Sequence, residues 1–297
     1  MSSYEIFEPV NSAPANPDSL VVMPSILGGN LRDKADPSRV SDLGQRAQTL
    51  ADASGFAVMA IQRTNPDDLR SRTYALGLPR AYDASDYTKL VADEAAQIDK
   101  EASTHGASHI SLVGVSAGGE RGLAHVTAGL HYKSLFVFDP PAMQHSSAGT
   151  AFGRWATYQA KVALQDALGK PNYPNENPLE YKAQGEITAL ADLALHRDIW
   201  TQDNSFATLM GLAYASVPGM KNTHTHLIIP KNTFNLPPGQ APRLVRALNL
   251  IATIVKSDFI AQTTDQPHRV TDDPVRLARM VQASGILPDY RINPERP

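Results

Sequence analysis

The segment with the clearest chemical meaning runs from Gly114 to Gly118 and reads Gly-Val-Ser-Ala-Gly. It follows an apolar run typical of a strand and precedes a segment of helical period, the setting in which Gly-x-Ser-x-Gly holds a serine on a sharp, strained turn. The crowded backbone requires glycine two residues before and two residues after the serine. Ser116 would then project at the carboxyl end of a sheet and act as a nucleophile. The alternative is an ordinary strand-to-helix turn; the Gly-Lys-Ser/Thr of a phosphate loop is absent.

The elements that would position Ser116 alternate between short apolar runs and segments of helical period, which is the pattern of βα units around a parallel sheet. Strands are predicted at 20–23, 56–61, 109–115, 135–138, 225–229 and 259–261, and helices at 37–54, 90–105, 118–132, 241–255 and 274–281. Pro37 suits a first helical position and Gly55 a helix C-cap. The sequence therefore predicts an α/β fold with a mostly parallel central sheet flanked by helices.

The stretch from residue 140 to residue 219 has a different character, with helical pieces, a proline-rich segment at 171–178 and no strand-like run. We interpret it as a helical cap or lid inserted into a core formed by residues 1–139 and 220–297. Trp155 and Tyr158 lie on an apolar face of this stretch. They would line a substrate pocket or pack in the lid's own core.

With these elements in this order, the chain resembles the α/β-hydrolase superfamily over nearly its whole length, and within it serine esterases, lipases and thioesterases with a helical lid. In such enzymes a loop after an early strand supplies one backbone N–H of the oxyanion hole. The matching loop here is Pro24-Ser-Ile-Leu-Gly-Gly29, which keeps the two glycines of the family but lacks its His-Gly pair. The resemblance implies an oxyanion hole formed by the amides of Ile26 or Leu27 and of Ala117.

The family orders its triad as serine, acid, histidine, which directs attention to a late histidine. His268 follows the last predicted strand and precedes the Asp-Pro start of the closing helix, as the catalytic histidine of the family does. His125 and His131 are placed in the helix after Ser116, and neither has a triad position. We expect them to be solvated or satisfied in the core.

The acid departs from the commonest pattern, because the loop after the strand ending at Ile229 contains no carboxylate. Asn232 or Asn235 could orient an imidazole there but could not stabilise its positive charge. The other location used in the superfamily is the end of the strand after the nucleophile helix, where Asp139 stands. A plain helix or turn cap is the alternative role for Asp139.

Metal chemistry has little support in the sequence. His224 and His226 are two residues apart on a predicted strand and would point to one side, but no third ligand with suitable spacing accompanies them. Two imidazoles alone satisfy neither a structural nor a catalytic zinc site. A structural or pocket-wall role is favoured.

Composition excludes several classes of function. The 27 Lys and Arg against 30 Asp and Glu give a net charge of −3 without a basic block, which argues against nucleic-acid binding. Zero cysteines exclude disulfides, thiolate nucleophiles and thiolate metal sites. A hydrophobic content of 42% and a mean hydropathy of −0.27 are typical of a folded, non-membrane protein. No secretory signal is recognised at the start, so a cytoplasmic location is expected.

These residues predict a serine hydrolase that cleaves a small-molecule carboxylic ester or thioester through an acyl-enzyme, without a cofactor. Ser116 would attack, His268 would relay the proton and Asp139 would orient the imidazole. An acyltransferase or perhydrolase would use the same triad with a different acceptor. A non-catalytic binding protein on the same fold is the third alternative, favoured by the missing His-Gly pair and the missing carboxylate after Ile229.

Overall fold

The computed structural model describes residues 3–10, 18–25, 30–33, 35–36, 38–62, 84–140, 223–233, 239 and 241–287. The strands are β1 (Ser3–Phe7), β2 (Ser19–Pro24), β3 (Ala57–Gln62), β4 (His109–Val115), β5 (Ser134–Phe138), β6 (His224–Pro230) and β7 (Phe259–Thr264). The helices are α1 (Asp42–Ser54), α2 (Ala84–Thr104), α3 (Ala117–Thr127), α4 (Ala241–Val255) and α5 (Pro274–Ala283), with a 3₁₀ helix over His268–Asp272. The predicted lid and its two aromatic residues lie outside the described residues.

The described strands form one sheet in the order β1-β3-β2-β4-β5-β6-β7. β1 pairs antiparallel with β3, and every other neighbouring pair is parallel. The predicted fold class is therefore confirmed, with one antiparallel edge strand that the sequence did not predict.

Helices cover both faces of the sheet, which explains why the central strands β2 and β5 are fully buried and apolar along most of their length. Leu20 and Val22 face a cluster with residues of α2 and α4, whereas Val21 and Met23 face a second cluster with residues of α1 and α5. Alternate residues of β2 thus enter two separate cores. A sheet buried on both faces is a rigid support for the loops at its carboxyl edge.

The start of α1 and the end of α3 differ from their predicted positions. α1 begins at Asp42 rather than at 37, because the chain before it forms an antiparallel bridge between Arg32 and Val40. α3 ends at Thr127 rather than at 132, so His131 lies beyond the helix, and Gly129 turns the chain at φ 98°. The predicted C-cap at Gly55 is confirmed, with φ 71° and its N–H donating to the carbonyl of Ala51.

Among the described helices, none combines the length and apolar character that crossing a lipid bilayer requires.

Candidate active site

Ser116 occupies the turn between β4 and α3 with a left-handed backbone conformation, φ 50°. A non-glycine residue in this region carries strain that the surrounding structure must support. Two hydrogen bonds supply that support: the Ser116 N–H donates to the carbonyl of Phe138 at 2.8 Å, and its own carbonyl accepts from the N–H of Gly119 at 2.9 Å. The residue is 8% exposed.

The glycines around Ser116 are fixed by close backbone approaches. A Cβ on Gly114 would lie 2.4 Å from the Cα of Gly119, and a Cβ on Gly118 would lie 2.3 Å from the carbonyl oxygen of Pro24. Neither distance is possible for real atoms, so both positions require glycine. The crowding expected from the sequence is present, but the two glycines are crowded by different neighbours rather than mainly by each other. The contact at Gly118 also holds the end of β2 against the start of α3.

Asp139 follows β5 in the same strained conformation, with φ 45°. Its N–H donates to the carbonyl of Ile228 at 2.9 Å, and its carboxylate is completely buried. Oδ2 of this carboxylate lies 2.6 Å from Nδ1 of His268, a residue 129 positions further along the chain. The His268 side chain is 22% exposed, so the pair has one buried member and one that reaches the surface.

Thr233, a residue not predicted from the sequence, makes the third contact of this group. Its hydroxyl lies 2.7 Å from Oδ1 and 2.9 Å from Oδ2 of Asp139. Thr233 is buried and belongs to the loop after β6, the loop in which the family commonly has its acid. A hydroxyl donor in the loop that lacks a carboxylate is the signal in the sequence that points to Thr233.

The topology explains why these residues lie at the same edge of the sheet. Ser116, Asp139, Thr233 and His268 follow the carboxyl ends of β4, β5, β6 and β7, which are consecutive neighbours in the sheet. In open parallel sheets, ligands bind at this edge. Four adjacent strands thus deliver a serine, a carboxylate, a hydroxyl donor and an imidazole to one end of the molecule.

Two observations identify the fold. They are the strained serine turn between a strand and a helix, and the mostly parallel sheet with this strand order. The chain has the α/β-hydrolase fold. No protein-family model and no curated protein matches the sequence.

Solved structures with this fold are similar over most of the chain. A highly thermostable carboxyl esterase from Bacillus coagulans aligns with a TM-score of 0.48 and 14% identity, covering 96% of this chain and 94% of the esterase. An esterase of Pyrococcus furiosus aligns with a TM-score of 0.48 and 10% identity, covering 96% and 90%. MenH from S. aureus aligns with a TM-score of 0.43 and 13% identity, covering 96% and 98%.

The 3₁₀ helix that begins at His268 is attached to the core from two sides. Buried Arg46 of α1 contacts Oδ1 of Asp272 at 3.0 Å, and the carboxylate of Asp273 accepts hydrogen bonds from the first amides of α5. The ring of Phe138 lies 6.4 Å from the ring of His268, centroid to centroid. These contacts limit the movement of the imidazole, and they give the neighbouring aspartates roles other than that of a triad acid.

Helix α3, which follows Ser116, is anchored to α2 by a buried polar cluster of Glu94, Arg121, His125 and Tyr132. Oε2 of Glu94 lies 3.2 Å from Nε of Arg121 and 2.8 Å from Nε2 of His125. Nδ1 of His125 lies 2.9 Å from the hydroxyl of Tyr132. Burial lowers the pKa of His125, and Glu94 partly opposes this, while burial raises the pKa of Tyr132 well above its usual value. These directions fit a neutral imidazole that donates to Glu94 and accepts from Tyr132.

The remaining predicted site residues fall into two groups. Ala117 begins α3 directly after the serine, where its amide would serve an oxyanion hole. Outside the described residues lie both candidates for the second amide, the alternative triad member and the two lid aromatics: Ile26, Leu27, Asn235, Trp155 and Tyr158.

His224 and His226 lie near the amino end of β6, away from the Ser116 edge. Nδ1 of His224 contacts Oδ1 of Asp258 at 3.1 Å, and burial lowers the pKa of His226. Within the described part of the chain, no group of three or more His, Asp or Glu residues could hold a metal ion.

Proposed function

We propose that the protein is a serine hydrolase that cleaves a small-molecule carboxylic ester or thioester. The observation that carries this proposal is the 2.6 Å contact between Oδ2 of Asp139 and Nδ1 of His268. The carboxylate follows β5 and the imidazole follows β7, which are one and three strands away from β4, the strand that ends at the strained turn of Ser116. An ion pair with a purely structural role is not expected to lie beside that turn at the ligand-binding edge of the sheet.

In the proposed mechanism, Ser116 Oγ attacks the carbonyl carbon and its proton passes to Nε2 of His268. Nε2 can accept that proton because Nδ1 carries a hydrogen that it donates to Asp139. The carboxylate then stabilises the imidazolium, which returns the proton to the leaving alcohol or thiol. Water, activated by the same imidazole, hydrolyses the acyl-enzyme and frees Ser116. No step requires a cofactor.

The oxyanion of each tetrahedral intermediate would be held by backbone amides. Ala117 supplies one by its place at the start of α3, and Ile26 or Leu27 supplies the other. The contact of the Pro24 carbonyl with Gly118 supports this assignment, because it brings the chain just before Ile26 to the same helix terminus. Backbone donors do not depend on side chains, so the missing His-Gly pair does not prevent this arrangement.

A fluorophosphonate probe tests the proposal directly, because it reacts with activated serines. We expect a stoichiometric mass shift on the peptide containing Ser116 and hydrolysis of p-nitrophenyl esters by the wild type. Ser116→Ala should remove both while leaving the circular dichroism spectrum unchanged, and His268→Gln should slow labelling by orders of magnitude. Labelling of a different serine, or wild-type turnover by Ser116→Ala, would refute the proposal.

A further inference from the structure

Thr233 lies in the loop after β6, but its hydroxyl contacts a side chain at the end of β5. The loop turns back after β6, with the Thr233 N–H donating to the carbonyl of Pro230 at 3.1 Å. This turn directs a 7% exposed residue inward, against the end of the neighbouring strand β5. The hydroxyl there meets both oxygens of a charged side chain, at 2.7 and 2.9 Å.

The geometry of this contact restricts the rotation of the Asp139 carboxylate. The terminal torsion of an aspartate is broad, so the carboxylate plane is not set by the side chain itself. A hydroxyl shared between Oδ1 and Oδ2 fixes that plane from one side, and Nδ1 of His268 meets Oδ2 at 2.6 Å. Hydrogen bonds to an ionised group are about twice as strong as neutral ones. The threonine therefore holds the carboxylate plane at an angle that leaves one oxygen facing the imidazole.

We propose that Thr233 is the positioning residue of the Asp139–His268 pair, holding the carboxylate in the orientation that accepts the Nδ1 hydrogen of His268. This proposal rests on the proposed function for its kinetic consequence, but the orientation itself exists without substrate. It also explains how the loop after β6 and the end of β5 together form the pair. The loop after β6, which lacks a carboxylate, supplies the donor that fixes the acid on β5.

Two substitutions separate the hydroxyl from the shape of the side chain. Thr233→Val keeps the branched shape and removes the donor, whereas Thr233→Ser keeps the donor and removes a methyl group. We expect Thr233→Val to lower kcat about 10- to 100-fold with KM changed less than threefold, since binding of the ester does not involve the pair. Thr233→Ser should retain at least a third of the wild-type kcat. Thr225→Val is the matched control. Thr225 is buried like Thr233, but it lies within β6 and its hydroxyl donates to the carbonyl of Thr223.

A second measurement needs no turnover. The Nδ1 proton of His268 should give a downfield proton NMR resonance, assigned by its loss in His268→Gln. We expect Thr233→Val to move this resonance upfield or broaden it, and Thr233→Ser and Thr225→Val to leave it in place. If Thr233→Val does not fold, Thr233→Ala replaces it, with the same expectations.

The outcomes distinguish the two proposals. If the wild type hydrolyses esters and Thr233→Val changes neither kcat nor the resonance, the positioning role is wrong and the proposed function stands. If Thr233→Ser loses as much activity as Thr233→Val, packing of the methyl group matters rather than the hydroxyl, and the positioning role is again wrong. If the wild type is inactive but the resonance depends on the hydroxyl as described, the positioning role stands and the proposed function fails.

Discussion

Replacing Asp139 by asparagine changes one buried atom and tests the assignment of the acid. The amide oxygen of the variant can still accept from Thr233, but its NH₂ group would then face Nδ1 of His268. A donor facing a donor is unfavourable, so the imidazole would place its hydrogen on Nε2 instead. In that tautomer His268 cannot accept the proton of Ser116.

The size of the effect follows from the burial of the carboxylate. Two unit charges about 4 Å apart interact with about 4 kcal/mol at an effective dielectric constant of 20, the value typical of pairs near a protein surface. This value suits a pair whose carboxylate is buried and whose imidazole is 22% exposed. That energy corresponds to about 10³ in rate. The wrong tautomer adds to it, and the same substitution in the serine-protease template costs about 10⁴ in kcat. We therefore expect kcat to fall about 10³- to 10⁴-fold.

The assay is steady-state hydrolysis of a p-nitrophenyl ester, with a thermal melt of each variant to check folding. Asp258→Asn is the matched control, because Oδ1 of Asp258 also contacts Nδ1 of a histidine, His224, at the opposite edge of the sheet. This control and Asn235→Ala should keep wild-type turnover. The reasoning is refuted if Asp139→Asn retains a tenth of the wild-type kcat, and the acid is reassigned if Asn235→Ala is the variant that fails.

Three further predictions concern other parts of the molecule. Gly118→Ala puts a Cβ 2.3 Å from the Pro24 carbonyl, so urea unfolding should show a loss of about 1–3 kcal/mol; an unchanged midpoint would mean that β2 and α3 separate easily. Burial lowers the pKa of His125 from 6.5, so below about pH 6.5 the unfolded chain binds a proton that the folded chain does not. The free energy of unfolding should therefore decrease as the pH is lowered through this range. His125→Gln should flatten this slope by at most about 1.4 kcal/mol per pH unit, and equal slopes would count against a neutral imidazole. Trimming Trp155 or Tyr158 to alanine should shift the preferred acyl length in a p-nitrophenyl ester series more than turnover of the acetate, whereas an unchanged profile would place both rings in the lid's own core.

The fold was predictable where one strong local signal sufficed. Buried parallel strands are continuous apolar runs bounded by turn residues, and the strand ending in Val115 and the helix of residues 241–255 lie where the pattern places them. β1 was not predicted, because an edge strand needs little apolar character and two of its five residues are exposed. The start of α1 was misplaced because a bridge between Arg32 and Val40 competes with the helix, and such a contact leaves no periodic trace.

The candidate site was predictable where a short stretch of sequence contains the whole signal. Ser116 has a motif whose glycines answer a steric need, so its turn could be inferred without a structure. Asp139 could be proposed from its place at a strand end, but choosing between it and Asn235 requires distances across the sheet. Thr233 has no motif at all. Its significance depends on the position of a carboxylate 94 positions away in the sequence, which only the folded chain brings within 3 Å.

The position of β5 in the sheet has a consequence for how the protein is made. β5 lies between β4 and β6, but β6 begins only at His224, which is 85 positions after Asp139. At about 5–20 residues per second, this delay is about 4–17 s. During that time the nascent chain has a strand with an open edge and four apolar residues among its five, which is a template for pairing with other chains. Premature termination anywhere in this interval would therefore yield a sticky, inactive fragment, and the yield of soluble protein should respond to codon choice between Asp139 and His224.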